Sequence, residues 1–295
     1  MARELPRTLR SLAPDHQRGL DGVDHEVVVV DNGSPVPLEP SVGQGHERWT
    51  RLDPAPPSPA RAANAGIGRA RGALIGLVVD GARLASPGLL AAALTASRLS
   101  DRVIVTAPAY HLGATTQMDA GEGYDRDEED RLLAASGWEE DGYELFSIST
   151  LAASSGRGWF GPMGESSSLF MSRALWDELG GLDERFDLPG GGLVNHDLYR
   201  RACAAPGVHL VLLAGEGTFH QFHGGAATSR RFGWDEMHAQ YEAIRGGPYR
   251  PPGNRASLYG AIPDQAVRHA ARSAELALAR QRKAEGAAST PADRG

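Results

Sequence analysis

Short apolar runs alternate with helical patterns along most of the chain. Residues 26–30, 74–79 and 103–107 are rich in β-branched and aliphatic residues and too short for helices, so they predict strands, the first of them buried on both faces. Residues 167–171 and 208–213 read in the same way. Strands separated by helices favour a mostly parallel sheet covered on both faces, which is a three-layer α/β/α sandwich.

Helical signals fall between these runs. Leu5, Leu9 and Leu12 recur at helical spacing, and Ser58 followed by Pro59 is a typical helix start. The other predicted helices begin at residue 86, follow residue 234, and span residues 127–136, 173–179, 195–204 and 263–284.

The pattern divides the chain into two parts. Residues 1–225 are predicted to form the sandwich domain, with one half at about 1–110 and the other at about 150–225. Residues 115–145 between the halves are acidic and punctuated by glycine, which predicts a surface insertion. Residues 226–295 are predicted to be a helical C-terminal extension with a frayed tail.

Charge and composition exclude several classes of partner. The 295 residues carry 30 basic and 37 acidic side chains, so a net charge of −7 excludes a positive field for a nucleic-acid polymer. The single cysteine, Cys203, rules out an intrachain disulfide and gives no sign of an oxidising compartment. Because no apolar run reaches the ~18 residues of a membrane span, we expect a cytoplasmic protein with no transmembrane segment, either free or peripheral to a membrane.

Two acidic residues stand where predicted strands end. Asp31 opens the turn that continues through Asn32, Gly33 and Ser34, and Asp80 follows residues 74–79. Ligands of open α/β sheets bind beyond the carboxyl ends of the strands, so both acids are candidate site residues. The alternative is that each one caps the helix that follows it.

Basic side chains lie between and beside these acids. Arg61, Asn64 and Arg69 fall on one predicted helix, and Arg83 comes three residues after Asp80. Forked guanidinium groups suit phosphate oxygens. The alternative is a solvated helix face.

Four segments, in this order and spacing, resemble the family-2 glycosyltransferases of the glycosyltransferase A fold: HEVVVVDNGSP (25–35), ARAANAGIGRARGALIGLVVDGARLASPGLL (60–90), FMSRALWDELGGLDERFDLPGGG (170–192) and DLYRRA (197–202). The resemblance covers roughly residues 2–223. It implies transfer of a sugar from a nucleotide-sugar donor, with inversion, to a hydroxyl of a glycan, a lipid-linked molecule or a small molecule. It also implies that Asp31 contacts the base, and that Arg61 and Asn64 contact the nucleotide or its neighbouring loops.

The strand-end acidic motif of that family holds a divalent metal on the diphosphate, and here it is reduced. Where the family has two acids, this chain has Val79, Asp80, Gly81 and Ala82, which leaves one carboxylate. We expect Asp80 to hold manganese or magnesium weakly alone. Residues 216–225 offer a second ligand, His220 first and His223 second, unless the histidine only bonds within the crevice wall.

The family's catalytic base is also altered. Val194 and Asn195 stand where the family has a Glu-Asp pair, and an asparagine amide is no base at neutral pH. Asp197 and His196 are the predicted substitutes, although the position of Asp197 in the first turn of its helix favours an anchor of the helix N-terminus over a base. Other candidate bases are Asp183 and Glu165.

Trp159, Glu165 and Asp183 are predicted to form the acceptor side, since an aromatic ring and carboxylates are a common way to hold a sugar. Core packing of Trp159 is the alternative. Family members also begin with an apolar strand before the first helix, and its absence here predicts a mis-assigned or truncated start.

The sequence also bears on two other functions. The altered motifs favour a catalytically impaired module that binds a nucleotide or a glycan. A nucleotidyltransferase requires an early Gly-rich loop with a lysine, which this sequence lacks.

Overall fold

The computed structural model describes residues 1, 3–38, 45–117, 119, 124–223 and 233–288. Parts of the acidic segment (118, 120–123), the domain boundary at residue 225 and the end of the tail (289–295) lie outside the described residues. The helices are α1 (Leu5–Ser11), α2 (Ala60–Arg69), α3 (Leu89–Ala96), α4 (Arg126–Ser136), α5 (Arg173–Leu179), α6 (Val194–Ala204), α7 (Trp234–Arg245) and α8 (Val267–Ala288). The strands are β1 (Val27–Asp31), β2 (Glu47–Arg51), β3 (Leu74–Val78), β4 (Arg83–Ala85), β5 (Val103–Thr106), β6 (Ala109–Leu112), β7 (Ser149–Leu151), β8 (Ser168–Ser172), β9 (His209–Ala214), β10 (Thr218–His220) and β11 (Ser257–Gly260).

The largest sheet confirms the predicted α/β class. Its strand order is β11-β9-β5-β8-β3, in which β8 runs antiparallel to both of its neighbours and the other four strands share one direction. The sheet is therefore mostly parallel, with one reversed strand near its β3 edge.

Alternating residues of the central strands face two separate apolar layers. On one face, Val105 and Val211 pack with α3. On the other, Ile104 and Leu212 pack with Trp176 of α5 and with residues of α6. Successive side chains of a strand point to opposite faces, so the run of apolar residues in β5 and β9 reflects cover by helices on both sides.

A second sheet, which the sequence patterns did not predict, has the order β4-β10-β6-β7. In its register His220 of β10 lies between Arg83 of β4 and His111 of β6. This sheet places the side chains of one arginine and two histidines in one row beside the end of β3.

Strands β1 and β2 pair in parallel as a separate two-stranded sheet. The prediction that residues 26–30 are buried on both faces is wrong, because only Val29 of these residues is buried. Among the described residues β1 has one strand partner, and Leu5 and Leu9 of α1 cover Val29 from one side.

The predicted surface insertion also contributes to the core. Leu133, Trp138 and Leu145 are buried in the main apolar cluster. The segment therefore packs against the rest of the protein through these side chains, and its described charged residues are exposed or partly exposed apart from Glu129, which is buried.

Within the described ranges, none of the helices combines the length and apolar character that crossing a bilayer requires.

Candidate metal and nucleotide site

Asp80 follows β3 in a backbone conformation unusual for a residue with a side chain. Its φ is 64°, and it is the single non-glycine residue with positive φ in the described part of the chain. Aspartate tolerates this region because its short side chain bonds locally, and here Oδ1 accepts a hydrogen bond of 2.9 Å from the Ala82 N–H. The turn leaves Oδ2 directed toward β10.

Two histidines meet this carboxylate. Nε2 of His220 lies 3.3 Å from Oδ2 of Asp80, and Nε2 of His223 lies 4.0 Å from the same oxygen. The two Nε2 atoms are 3.0 Å apart. One carboxylate and two imidazoles therefore converge at the end of β3.

Gln117 fixes the orientation of His220. The Gln117 amide donates to the His220 carbonyl oxygen at 2.9 Å, which leaves its Oε1 at 2.8 Å from Nδ1 of His220. Because Oε1 is an acceptor only, Nδ1 carries a proton. In the neutral ring the lone pair therefore lies on Nε2, where a cation between His220, His223 and Asp80 would meet it, whereas the charged ring donates from Nε2 to Asp80. Gln117 is 5% exposed.

The charges of the site also suit a cation. Burial raises the pKa of Asp80, but Arg83 and His220 outweigh burial and the net pKa lies below the usual range. Burial lowers the pKa of His223, and together with the nearby His220 and Arg83 it lowers that of His111 to about 3. The carboxylate is therefore charged at neutral pH, whereas His223 and His111 favour the neutral form.

These three donors fit a transition-metal ion. Their ligand atoms all lie within 4.8 Å of one another. In an octahedral shell with bonds of about 2.1 Å, adjacent ligand atoms are about 3 Å apart, which matches the contacts of His220 with His223 and Asp80. Two imidazoles favour manganese, iron, cobalt or zinc over magnesium or calcium.

A buried carboxylate braces the loop that carries the histidines. Oε2 of Glu129 accepts a hydrogen bond of 2.7 Å from the Phe222 N–H, midway between His220 and His223. Arg3 contacts Oε1 of Glu129 at 3.4 Å and donates to the Phe222 carbonyl at 3.3 Å. The N-terminal segment and α4 thus hold the loop through its backbone.

The predicted base-binding turn is shaped by its own side chains. Oδ1 of Asp31 accepts a hydrogen bond of 2.8 Å from the Ser34 N–H. Its Oδ2 forms an ion pair with Nη1 of Arg51 at 2.5 Å. Asn32 donates to the Pro56 carbonyl at 3.0 Å, while its Oδ1 is buried with no partner among the described residues. Gly33 has a φ of 75°, which glycine adopts without strain.

Arg61 and Asn64, the predicted nucleotide residues on α2, have different surroundings. Arg61 is exposed. Asn64 exchanges two hydrogen bonds of 2.9 Å with the Leu182 backbone and donates a third to Glu184. Asn64 therefore ties α2 to the loop after α5. Arg83 is closer to Asp80, with its Nε 3.8 Å from Oδ2 and its Nη1 buried without a partner in the described ranges.

The structure corrects the predicted acceptor role of Trp159. The side chain is 2% exposed and packs in the core beside Tyr110 and Phe146. A buried indole offers no face for a sugar. Its core position is the alternative interpretation of the sequence.

Two predicted acids are held by arginines. Asp197 is 1% exposed and accepts from Arg201 at 2.8 Å and Arg245 at 2.6 Å. Asp183 binds Arg185 at 2.6 Å and Arg245 at 2.9 Å, and these partners lower its pKa to about 2. The arginine N–H groups occupy the carboxylate oxygens that a base would use, so the geometry favours an anchoring role for both.

Comparisons with known proteins give distant likenesses. No protein-family model matches the chain, and no curated protein matches it. Among solved structures it resembles S. aureus TarS 1-349 in complex with UDP-GlcNAc at 12% identity and a TM-score of 0.47, over 82% of this chain and 62% of that one. GalNAc-T7 with UDP, GalNAc and Mn²⁺ gives 15% identity and a TM-score of 0.48, over 84% and 49%. S. aureus TarS gives 11% identity and a TM-score of 0.45, over 82% and 40%.

The chain thus spans between 40% and 62% of the length of these three structures. At such identities and TM-scores the likenesses assign neither a family nor an activity to this chain.

Proposed function

We propose that this protein transfers a sugar from a nucleotide-sugar donor to an acceptor hydroxyl, with the donor's diphosphate bound at a divalent metal. The observation that carries the proposal is the convergence of Asp80, His220 and His223 at the end of β3. The sequence motifs that resemble family-2 glycosyltransferases supply the reaction class.

The leaving group of such a reaction is a nucleoside diphosphate, on which negative charge develops as the bond to the sugar breaks. A bound divalent cation stabilises this charge as a Lewis acid. Asp80, His220 and His223 would hold the cation from one side, which leaves room for phosphate oxygens on the other. Arg83 Nη1 has no hydrogen-bond partner in the part of the chain that the structure describes, and it is placed to donate to a phosphate oxygen.

We assign the base of the nucleotide to the turn at Asp31–Ser34, following the resemblance. Oδ1 of Asn32 has no hydrogen-bond partner among the described residues, and it offers an acceptor to the base within this turn. Manganese is the expected metal, because neutral imidazole nitrogen suits it better than magnesium.

A catalytically impaired module that binds a nucleotide or a glycan is the second candidate. The observation that favours it is the state of the predicted bases: Asn195 is not a base, and Asp197 and Asp183 are paired with arginine. This candidate keeps the metal and nucleotide site but has no turnover.

Release of nucleoside diphosphate from a panel of UDP-, GDP-, dTDP- and CDP-sugars, in Mn²⁺, Mg²⁺ or EDTA, distinguishes the candidates. Sugar transfer predicts release from at least one donor that requires a metal and proceeds faster in manganese. The variant His223→Gln is expected to lower this release at least tenfold. His209→Gln is the control, because the one hydrogen-bond partner of this ring among the described residues is Ser257, and the ring lies at the amino end of β9, away from the carboxyl ends of the parallel strands. Metal-dependent binding without release of any donor would support the binding module instead.

A further inference from the structure

A histidine of α6 and a glutamate that precedes β8 in the sequence meet in a partly exposed position. Nδ1 of His196, in the first turn of α6, lies 3.2 Å from Oε2 of Glu165. The side chains are 17% and 20% exposed, so both are shielded but reachable from solvent. The angle at Nδ1 is not yet that of a hydrogen bond, and such pairs commonly tighten when a substrate binds.

The carboxylate determines which nitrogen of the ring is free. Glu165 is an acceptor, so Nδ1 carries the proton when the two face each other, and the lone pair lies on Nε2. None of the described residues donates to this Nε2. The pair has the arrangement of a base whose ring is oriented by a third group.

Strand pairing places this pair at the same sheet edge as the metal ligands. Strand β8 runs antiparallel to β3, and the Val79 N–H donates to the Ser167 carbonyl at 2.9 Å. Asp80 is the residue after Val79, and Glu165 comes two residues before Ser167. Two residues span at most about 7 Å, so Glu165 and Asp80 lie at the same end of neighbouring strands.

Aromatic side chains border the pair. The ring of Tyr249 lies edge-on to His196 at 5.3 Å, and its hydroxyl donates to the Gly164 carbonyl at 2.8 Å, next to Glu165. Trp234 lies 6.3 Å from His196 and is 58% exposed. A partly exposed indole beside a histidine and a carboxylate offers a stacking face and polar partners to a sugar ring.

We propose that His196 is the general base of the proposed transfer, with Glu165 as its positioning residue. The proposal rests on the proposed function. In the step, Nε2 of His196 takes the proton of the acceptor hydroxyl while that oxygen forms a bond to the anomeric carbon of the donor. The bond from this carbon to the diphosphate breaks, and its electron pair leaves on the phosphate oxygen. The acceptor is a hydroxyl compound that stacks on Trp234, or water when none is supplied.

The competing bases on the same elements are already paired. Asp197, one residue along α6, has both carboxylate oxygens bound by Arg245. Asp183 binds the same arginine. His196 is therefore the base candidate in α6 whose proton-accepting atom remains available.

The test follows nucleoside diphosphate release by the full chain, with saturating Mn²⁺ and the donor on which the wild type is most active. The variants are His196→Ala, Glu165→Gln and the control His209→Gln. We expect His196→Ala to lower kcat by about 100-fold or more, with the donor KM and the Mn²⁺-dependent affinity for the nucleoside diphosphate within threefold of wild type. Added imidazole should raise the kcat of His196→Ala at least tenfold. It should leave the kcat of His209→Gln unchanged. Glu165→Gln should lower kcat with less effect than His196→Ala.

Three results would overturn the assignment: a His196→Ala kcat within threefold of wild type, a fall in kcat that imidazole does not restore, or a fall matched by an equal loss of nucleotide affinity. Each of these leaves wild-type turnover intact and so differs from a failure of the proposed function, in which the wild type itself releases no nucleoside diphosphate.

Discussion

The proton on one imidazole ring decides whether the candidate site can bind a cation. Nε2 of His220 can be a ligand only if Nδ1 carries the hydrogen, and Gln117 imposes this tautomer through Oε1. The second bond of Gln117, to the His220 carbonyl, fixes the amide so that the oxygen rather than the nitrogen faces the ring. Partners of this kind orient metal ligands and contribute substantially to metal affinity.

We therefore predict opposite effects for two substitutions of Gln117. Gln117→Leu removes the acceptor and should weaken Mn²⁺ binding by about 10- to 100-fold. Gln117→Glu keeps an acceptor for Nδ1 and should bind Mn²⁺ at least as tightly as the wild type at neutral pH. Calorimetric titration of each protein with Mn²⁺ gives the affinities, and thermal unfolding reports whether both variants fold.

A packing role for Gln117 predicts the reverse order, because leucine fills a buried space whereas glutamate places a charge in it. Tighter Mn²⁺ binding by Gln117→Leu than by Gln117→Glu would therefore contradict the orienting role.

Single residues differ in how far the sequence could place them. Asp80 and His220 were predicted from a strand end and a resemblance, and the structure brings them within 3.3 Å of each other. Gln117 was not predicted, since it is 103 residues from His220 in sequence and no local pattern pairs the two. The sequence left both an acceptor role and core packing open for Trp159, because the exposure of an aromatic ring depends on tertiary packing, which a single segment does not encode.

At the scale of elements, α8 shows how a C-terminal helix is attached to the domain. His269 contacts the Phe146 carbonyl at 3.0 Å through Nε2, and Arg268 donates to the same carbonyl and to that of Ser149. Ser273 Oγ accepts from the Trp159 N–H at 3.2 Å. The helix thus satisfies backbone groups of the segments that surround the aromatic core.

The attachment should weaken in acid. Burial lowers the pKa of His269 in the folded protein. The hydrogen bond to the Phe146 carbonyl opposes this effect in part, and the nearby charge of Arg268 adds to it. The unfolded chain, with a histidine pKa of about 6.5, therefore takes up the proton first as pH falls, and the free energy of unfolding decreases below about pH 7. We expect His269→Gln, whose amide can still donate to the Phe146 carbonyl, to lose less Tm between pH 7 and pH 5 than the wild type.

The matched control for this measurement is His209→Gln, which replaces a partly exposed histidine. An equal loss of Tm in the wild type and in His269→Gln would show that His269 does not contribute to the acid sensitivity.

The elements that the sequence predicted are the long ones with clear periodicity. The apolar strands β3, β5, β8 and β9 and the helices α2, α5 and α6 were placed to within a few residues. The direction of β8 was not predictable, because side-chain alternation does not depend on strand direction. Strands β4 and β10, with three residues each, are too short for any period, yet their register sets His220 beside Arg83.

At the scale of the whole molecule, the site joins distant parts of the chain. Asp80 is separated from His220 and His223 by 140 residues or more of the sequence. Arg3 and Glu129 hold the loop between these histidines from the N-terminal segment and from α4. The predicted surface insertion is in this respect a structural support of the site.

The central claim is that the metal and a nucleoside diphosphate bind together through Asp80, and calorimetry tests it most directly. UDP and GDP are titrated into the wild type, Asp80→Asn and His220→Ala, each with and without Mn²⁺. The control is Asp101→Asn, because Asp101 is exposed and lies just before β5, at the opposite end of the sheet. Thermal unfolding confirms that each variant folds.

Mn²⁺ is expected to strengthen the binding of at least one of these nucleotides to the wild type and to Asp101→Asn by tenfold or more, because phosphate oxygens complete a coordination shell that the protein's ligands fill only in part. This enhancement should be lost in Asp80→Asn and reduced in His220→Ala. An Mn²⁺ enhancement that survives in Asp80→Asn, or none in the wild type, would contradict the account and leave Arg83 as the residue that holds the diphosphate.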